Sequence, residues 1–144
     1  MQFDPENPVV KLCAQGMMLE GEGKNAEALA LFEEAWNKAG DDFEKFIAAH
    51  YVARHQPGVS EKLNWDRTAL EYALKVATQD ITSTLPSLYL NVAKCYEDLS
   101  DATNAGINYN LALSYADHLA DDGYGKMIRK GIMAGLERTR TADK

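Results

Sequence analysis

Gly23-Lys24-Asn25-Ala26-Glu27-Ala28-Leu29-Ala30-Leu31-Phe32-Glu33-Glu34-Ala35 leaves a glycine turn and continues as a helical run. Steps of four and three residues put Ala28, Phe32 and Ala35 on one helical face. Twelve residues before Ala28 stands another small residue, Gly16. A shift of 77 residues carries Gly16, Ala28, Phe32 and Ala35 onto Ala93, Ala105, Tyr109 and Ala112, so small, small, aromatic and small recur in the same order. The earliest small residue of each set belongs to one helix and the other three to the next. Small residues let two helices approach closely, and the ring fills the space beside them. The pattern predicts an antiparallel helical hairpin with a defined contact, present at least twice.

The rest of the 144 residues reads the same way. There are 20 Ala and 15 Leu against 11 Val and Ile together, a composition that favours helix over sheet. No alternation of apolar and polar residues is long enough for a strand. Breakers and caps fall at Pro5 and Pro8, Gly21 and Gly23, Gly40-Asp41-Asp42, Pro57-Gly58, Thr82 to Pro86, Ser100-Asp101 and Asp121 to Gly125. They leave seven helix-sized lengths of about 14 to 19 residues, joined by short turns that make neighbours antiparallel.

The stretch Gly23 to Ala35 resembles the turn and second helix of the tetratricopeptide repeat, a helix-turn-helix unit of about 34 residues. Leu88-Tyr89-Leu90-Asn91-Val92-Ala93-Lys94-Cys95-Tyr96 resembles its first helix. Seventy-seven residues are two such periods and nine more, so a third copy lies between, with Ala69 of Asp66 to Leu74 matching Ala28 and Ala105. Phe46, Ala49, His50 and Ala53 then stand 34 residues after Leu12, Gln15, Gly16 and Leu19. Seven extra residues fall at Gln56 to Lys62 and two near Ile81 to Pro86, both turns, where insertions are tolerated. His50 replaces the small residue the family prefers, so the first helix of the middle hairpin is expected to be tilted or less tightly paired. The resemblance implies an all-α fold, an α-solenoid of three hairpins (about 8–40, 41–79 and 86–119) in a single domain, closed by a helix at about 122–139.

That last helix carries Tyr124, Met127, Ile128, Gly131, Ile132, Gly135 and Leu136 on one stripe and Lys126, Arg129, Lys130, Glu137 and Arg138 on another. A helix apolar on one face and charged on the other suits the bare end of an open stack. Gly131 and Gly135 predict close backbone approach there. A basic amphipathic helix lying on a membrane surface is the alternative.

The formal net charge is −7 with a pI near 4.9, which disfavours nucleic acid and anionic membrane as partners. Residues 1–56 and 57–122 carry −5 and −6, whereas 123–144 carry +4, cations suited to a helix C-terminus and an acidic neighbour. No apolar run approaches the ~20 residues of a membrane span. Met1 to Glu6 lack the basic start and apolar run of a signal peptide, so a cytoplasmic home is expected. Cys13 and Cys95 have no CxxC spacing and no activating neighbourhood.

Leu19-Glu20-Gly21-Glu22-Gly23-Lys24 is superficially a glycine-rich cofactor loop, but it follows a helix and is better read as a C-cap and turn. His50 and His55 are five apart, about 140° around a helix, and cannot share a metal on one face. His118 with Asp117, Asp121 and Asp122 reads as a helix end followed by an N-cap. No Gly-x-Ser-x-Gly, His-Glu-x-x-His or Ser-x-x-Lys occurs. No enzyme activity, metal or cofactor is expected.

In the family that the chain resembles, first helices line a concave face that holds a peptide or partner helix. The resemblance places Val10, Cys13, Met17 and Glu20 there from the first hairpin. It adds Glu44, Ile47, Tyr51, Arg54 and His55 from the second, and Ser87, Leu90, Lys94, Glu97 and Asp98 from the third. Ile47 and Leu90 are also candidates for the core. Cys13 and Met17 stand where the co-chaperone branch would need Lys and Asn, so no carboxylate clamp is expected. The reading is a protein-interaction module that binds a peptide or partner segment, with homodimerisation open. The alternative is a small-ligand sensor with a polar pocket around His50, Tyr51 and Arg54.

Overall fold

A computed structural model describes residues 1–142, which form α1 (Pro8–Gly21), α2 (Asn25–Lys38), α3 (Asp42–Ala53), α4 (Val59–Lys75), α5 (Leu85–Asp98), α6 (Ala102–Ser114) and α7 (Gly123–Ala142). Short 3₁₀ turns lie at Thr82–Thr84 and Ala116–His118, and no strand occurs among the described residues. The fold is all-α, as expected. Two compact units result: Gln2–Gln79, with α1 to α4, and residues 80–142, with α5 to α7.

In the first unit each helix starts and stops for a local reason. The Asn7 side chain accepts the N–H groups of Val9 and Val10 and Pro8 opens α1, a favourable N-terminus. The turn after α1 needs Gly23 at φ 77°, a left-handed conformation that glycine adopts without steric cost. Asp41 and Glu44 form a reciprocal capping box at the start of α3. α1 pairs with α2, α3 lies against both, and α4 pairs with α3. Ala28, Phe32 and Ala35 are wholly buried, and a Cβ on Gly16 would collide with the Phe32 ring. The predicted hairpin contact is therefore present.

The middle hairpin departs from the expectation set by His50. α3 and α4 pair as extensively as the other hairpins. Ala49 and Ala53 on α3 and Ala69 and Ala73 on α4 are all essentially without exposure, so other small residues permit the approach. His50 lies edge-on to Tyr51, 5.2 Å between ring centres, and its Nδ1 is buried without a hydrogen-bond partner. Burial pulls its pKa below the ordinary histidine value, which keeps the ring neutral. The expected insertion spans the turn and the first part of α4, which reaches 17 residues against 14 in α2. Trp36 of α2 meets Trp65 edge-on at 5.1 Å and Tyr72 at 6.1 Å, tying α2 to α4.

The second unit repeats the three-helix part of this plan. α5 pairs with α6, and α7 lies against both. Ala93, Ala105, Tyr109 and Ala112 have no exposure. Gly135 sits beneath the Tyr109 ring so closely that a Cβ would overlap it, and Gly131 faces Leu90. The close approach expected of these two glycines is what the structure contains. Ile128 and Ile132 are buried with them. Tyr124 and Met127 are not, at 55% and 60% exposure, because the apolar stripe is wider than the hairpin surface that it covers. Asp122 accepts the Gly125 N–H at 2.7 Å, which is the capping role read for this acidic cluster.

Candidate functional site

Val10, Cys13 and Met17 follow one another along the face of α1, and Ile47 and Tyr51 are one turn apart on α3. Together with Phe3 and Ala14 they line an open recess of about 300 Å³ whose walls are almost entirely apolar. All of it lies within Gln2–Gln79. Cys13 is buried in the wall, and burial pushes its thiol up to about 12, so it stays protonated and unreactive as a nucleophile. Met17, 45% exposed, stands at the mouth. The Tyr51 ring stacks on Phe32 at 5.1 Å, and burial raises its hydroxyl pKa.

One turn further along both helices the chemistry changes. The Arg54 guanidinium lies 5.5 Å from the Tyr51 ring centre, a cation–π distance. Glu20 reaches Arg54 at 3.4 Å and the His55 Nε2 at 2.5 Å. His55 also stacks on Phe32 at 5.9 Å. An apolar recess therefore ends in a small network of ionisable groups. Glu44, also assigned to the groove, is engaged elsewhere. Its carboxylate accepts the Gly40 and Asp41 N–H groups and the Asn7 amide. Burial pushes its carboxyl up, but those three hydrogen bonds outweigh it and hold the pKa below the usual range.

In the second unit the assigned residues mostly meet α7 or each other. The Ser87 and Tyr124 hydroxyls lie 2.5 Å apart. Leu90 packs beside Tyr109 and against Gly131. Lys94 and Asp98 pair at 2.6 Å. Glu97 accepts two bonds from Arg138, at 2.7 and 3.1 Å, and one from the Tyr109 hydroxyl at 2.6 Å. The Arg138 hydrogen bond holds the Glu97 carboxyl below its ordinary range, while burial, with help from Glu97, raises the Tyr109 hydroxyl.

A second recess, about 290 Å³, is lined here by Leu90, Asn91, Lys94, Tyr109, Gly131 and Arg138. Seventy-seven residues separate Cys13 from Leu90, Ala14 from Asn91 and Met17 from Lys94, so both units carry a recess in the same register. The first is almost wholly apolar, and the second is mixed, with the polar ends of Asn91, Lys94 and Arg138 in its lining. Sequence reasoning missed Phe3, Ala14 and Asn91. The repeat offset relates Ala14 to Asn91 and was a usable signal for the pair; no periodicity reaches Phe3, which precedes the first helix.

Among the described residues no cluster of His, Cys, Asp and Glu is arranged to hold a metal ion, and no helix is long and apolar enough to cross a membrane. What the first recess can do chemically is desolvate an apolar side chain next to a charged network. No protein-family model matches the chain, and no curated protein and no solved structure matches it either.

Proposed function

We propose that this chain is a non-enzymatic, cytoplasmic protein-interaction module of tetratricopeptide type, which docks a segment of a partner protein on the α1 and α3 face of Gln2–Gln79. The observation that carries this reading is the convergence of Val10, Cys13, Met17, Ile47 and Tyr51 on one open apolar recess. Each is a position that the family resemblance assigns to partner binding. Burying an apolar side chain there gains about 25 cal/mol per Å² of apolar surface removed from water. Arg54, His55 and Glu20 then orient the polar part of the segment, since charge complementarity contributes more to specificity than to affinity.

Tyr51 is a poor probe of this idea because its ring also supports Phe32. Met17 is better placed, since it is half exposed at the mouth. Met17→Glu is expected to abolish capture of the partner from a native lysate, followed by mass spectrometry, while leaving the thermal midpoint unchanged. Leu113→Glu, a charge on an exposed position of the other unit, is expected to leave capture intact. Equal capture by wild type and Met17→Glu would sink the assignment of this face.

A further inference from the structure

Residues 2–7 precede α1 and are held at both ends. Gln2 donates its backbone N–H to the Gln79 Oε1 at 2.7 Å, and its carbonyl accepts the Gln79 Nε2 at 3.1 Å. One side chain, 77 residues away, thus satisfies both backbone groups of a single residue. Phe3, the next residue, sets its ring 6.0 Å from that of Phe43 and forms part of the recess wall with Val10 and Met17. At the other end Asn7 caps α1 and donates to Glu44 at 2.8 Å. Between these anchors the Glu6 N–H bonds to Asp4 and the Glu6 carboxylate reaches Lys11 at 3.4 Å, both exposed local contacts.

The two ends differ in strength. Asn7 is embedded in a helix cap, so it behaves as a hinge. Gln79 holds Gln2 through exposed hydrogen bonds, and exposed bonds exchange readily with water. Phe3 itself remains 46% exposed, so lifting it uncovers only about half of one residue's surface. Cys13, in the same recess wall, is 4% exposed with the segment in place.

We infer that Gln2 to Glu6 form a latch: Gln79 holds Phe3 in the recess wall, and its release swings Phe3 away about Asn7 and widens the path to Cys13. The opened recess offers a partner's apolar side chain a larger surface, a consequence that rests on the docking role proposed above.

Cys13 itself reports the motion. The full chain carrying Cys95→Ala has a single thiol, and its reaction with 5,5′-dithiobis(2-nitrobenzoate) measures how often the recess opens. Gln79→Ala and Phe3→Ala are each expected to speed that reaction by about tenfold or more, as for a local opening made easier. Trp36 and Trp65 both lie in Gln2–Gln79, so their fluorescence in urea shows whether the unit keeps its stability. Faster labelling at an unchanged urea midpoint supports the latch. An unchanged rate in both variants overturns it, as does an increase that only follows a fall in the midpoint. Loss of capture in Met17→Glu is measured separately, so either idea can fail while the other stands.

Discussion

Gly16 and Gly135 each lie against an aromatic ring of a neighbouring helix, Phe32 and Tyr109, with no room for a methyl group. Gly135→Ala forces the ring or the helix to shift, and overpacking of this kind costs about 1–3 kcal/mol. Gly21, with open space around its Cβ position, is the matched control. Gly21→Ala should be neutral or stabilising by up to about 1 kcal/mol, since it lowers the entropy of the unfolded chain. Urea midpoints of the two variants separate close approach from general helix propensity. At Glu97 the folded-state pKa is depressed, chiefly by the Arg138 hydrogen bond. Its stabilisation is therefore complete above the unfolded value of about 4.3 and is lost as pH falls through the lower folded value. Glu97→Gln should be less stable than wild type at neutral pH, and the gap should close in acid. A gap that widened as pH fell would contradict the geometry of this pair.

The elements carry a second set of consequences. Glu44 sits on the helix that supplies Ile47 and Tyr51, yet its carboxylate completes the α3 cap and holds the Asn7 amide. Asp41→Ala should cost about 1 kcal/mol, the usual value for losing an N-cap side chain. Glu44→Ala should also lower the thermal midpoint while leaving partner capture unchanged, which distinguishes a capping residue from a docking residue. α4 shows how an insertion is absorbed. The residues beyond the repeat period extend the start of the helix, so the pairing of Ala69 and Ala73 with α3 is preserved. α7 explains its own cations. Arg129 donates to the carbonyls of Leu119 at 3.0 Å and Ala116 at 3.4 Å, Arg138 binds Glu97, and Arg140 binds Glu137. Arg129, Arg138 and Arg140 are thus occupied by carbonyls and carboxylates within one unit.

For the whole chain, a net charge of −7 and the engagement of these arginines predict no retention on a heparin column at physiological salt. Retention would show that the remaining cations act as a patch. The contacts of the first and third hairpins were legible in the sequence because helical periodicity is local: Gly16 with Phe32, and the burial of Ala93 with Tyr109, follow from spacing along one or two helices. Val10, Cys13 and Met17 of the first recess were assigned through the resemblance, and periodicity adds only that they share a face of α1.

The amino-acid sequence by itself determined the helical class, the places where helices break and the small-aromatic contacts inside the first and third hairpins, all of which depend on neighbours within a few turns. Tertiary structure alone decided what each first-helix residue faces. Val10, Cys13 and Met17 line the apolar recess with Ile47 and Tyr51 of α3, whereas Ser87, Leu90 and Glu97, 77 residues beyond Val10, Cys13 and Glu20, meet Tyr124, Gly131 and Arg138 of α7. The difference is set at equivalent contacts by Tyr51 against Phe32 in one unit and Gly135 against Tyr109 in the other. The place of Phe3, held by a glutamine at the far end of its unit, is likewise beyond any local pattern, because a contact of that sequence separation exists only once the chain has folded.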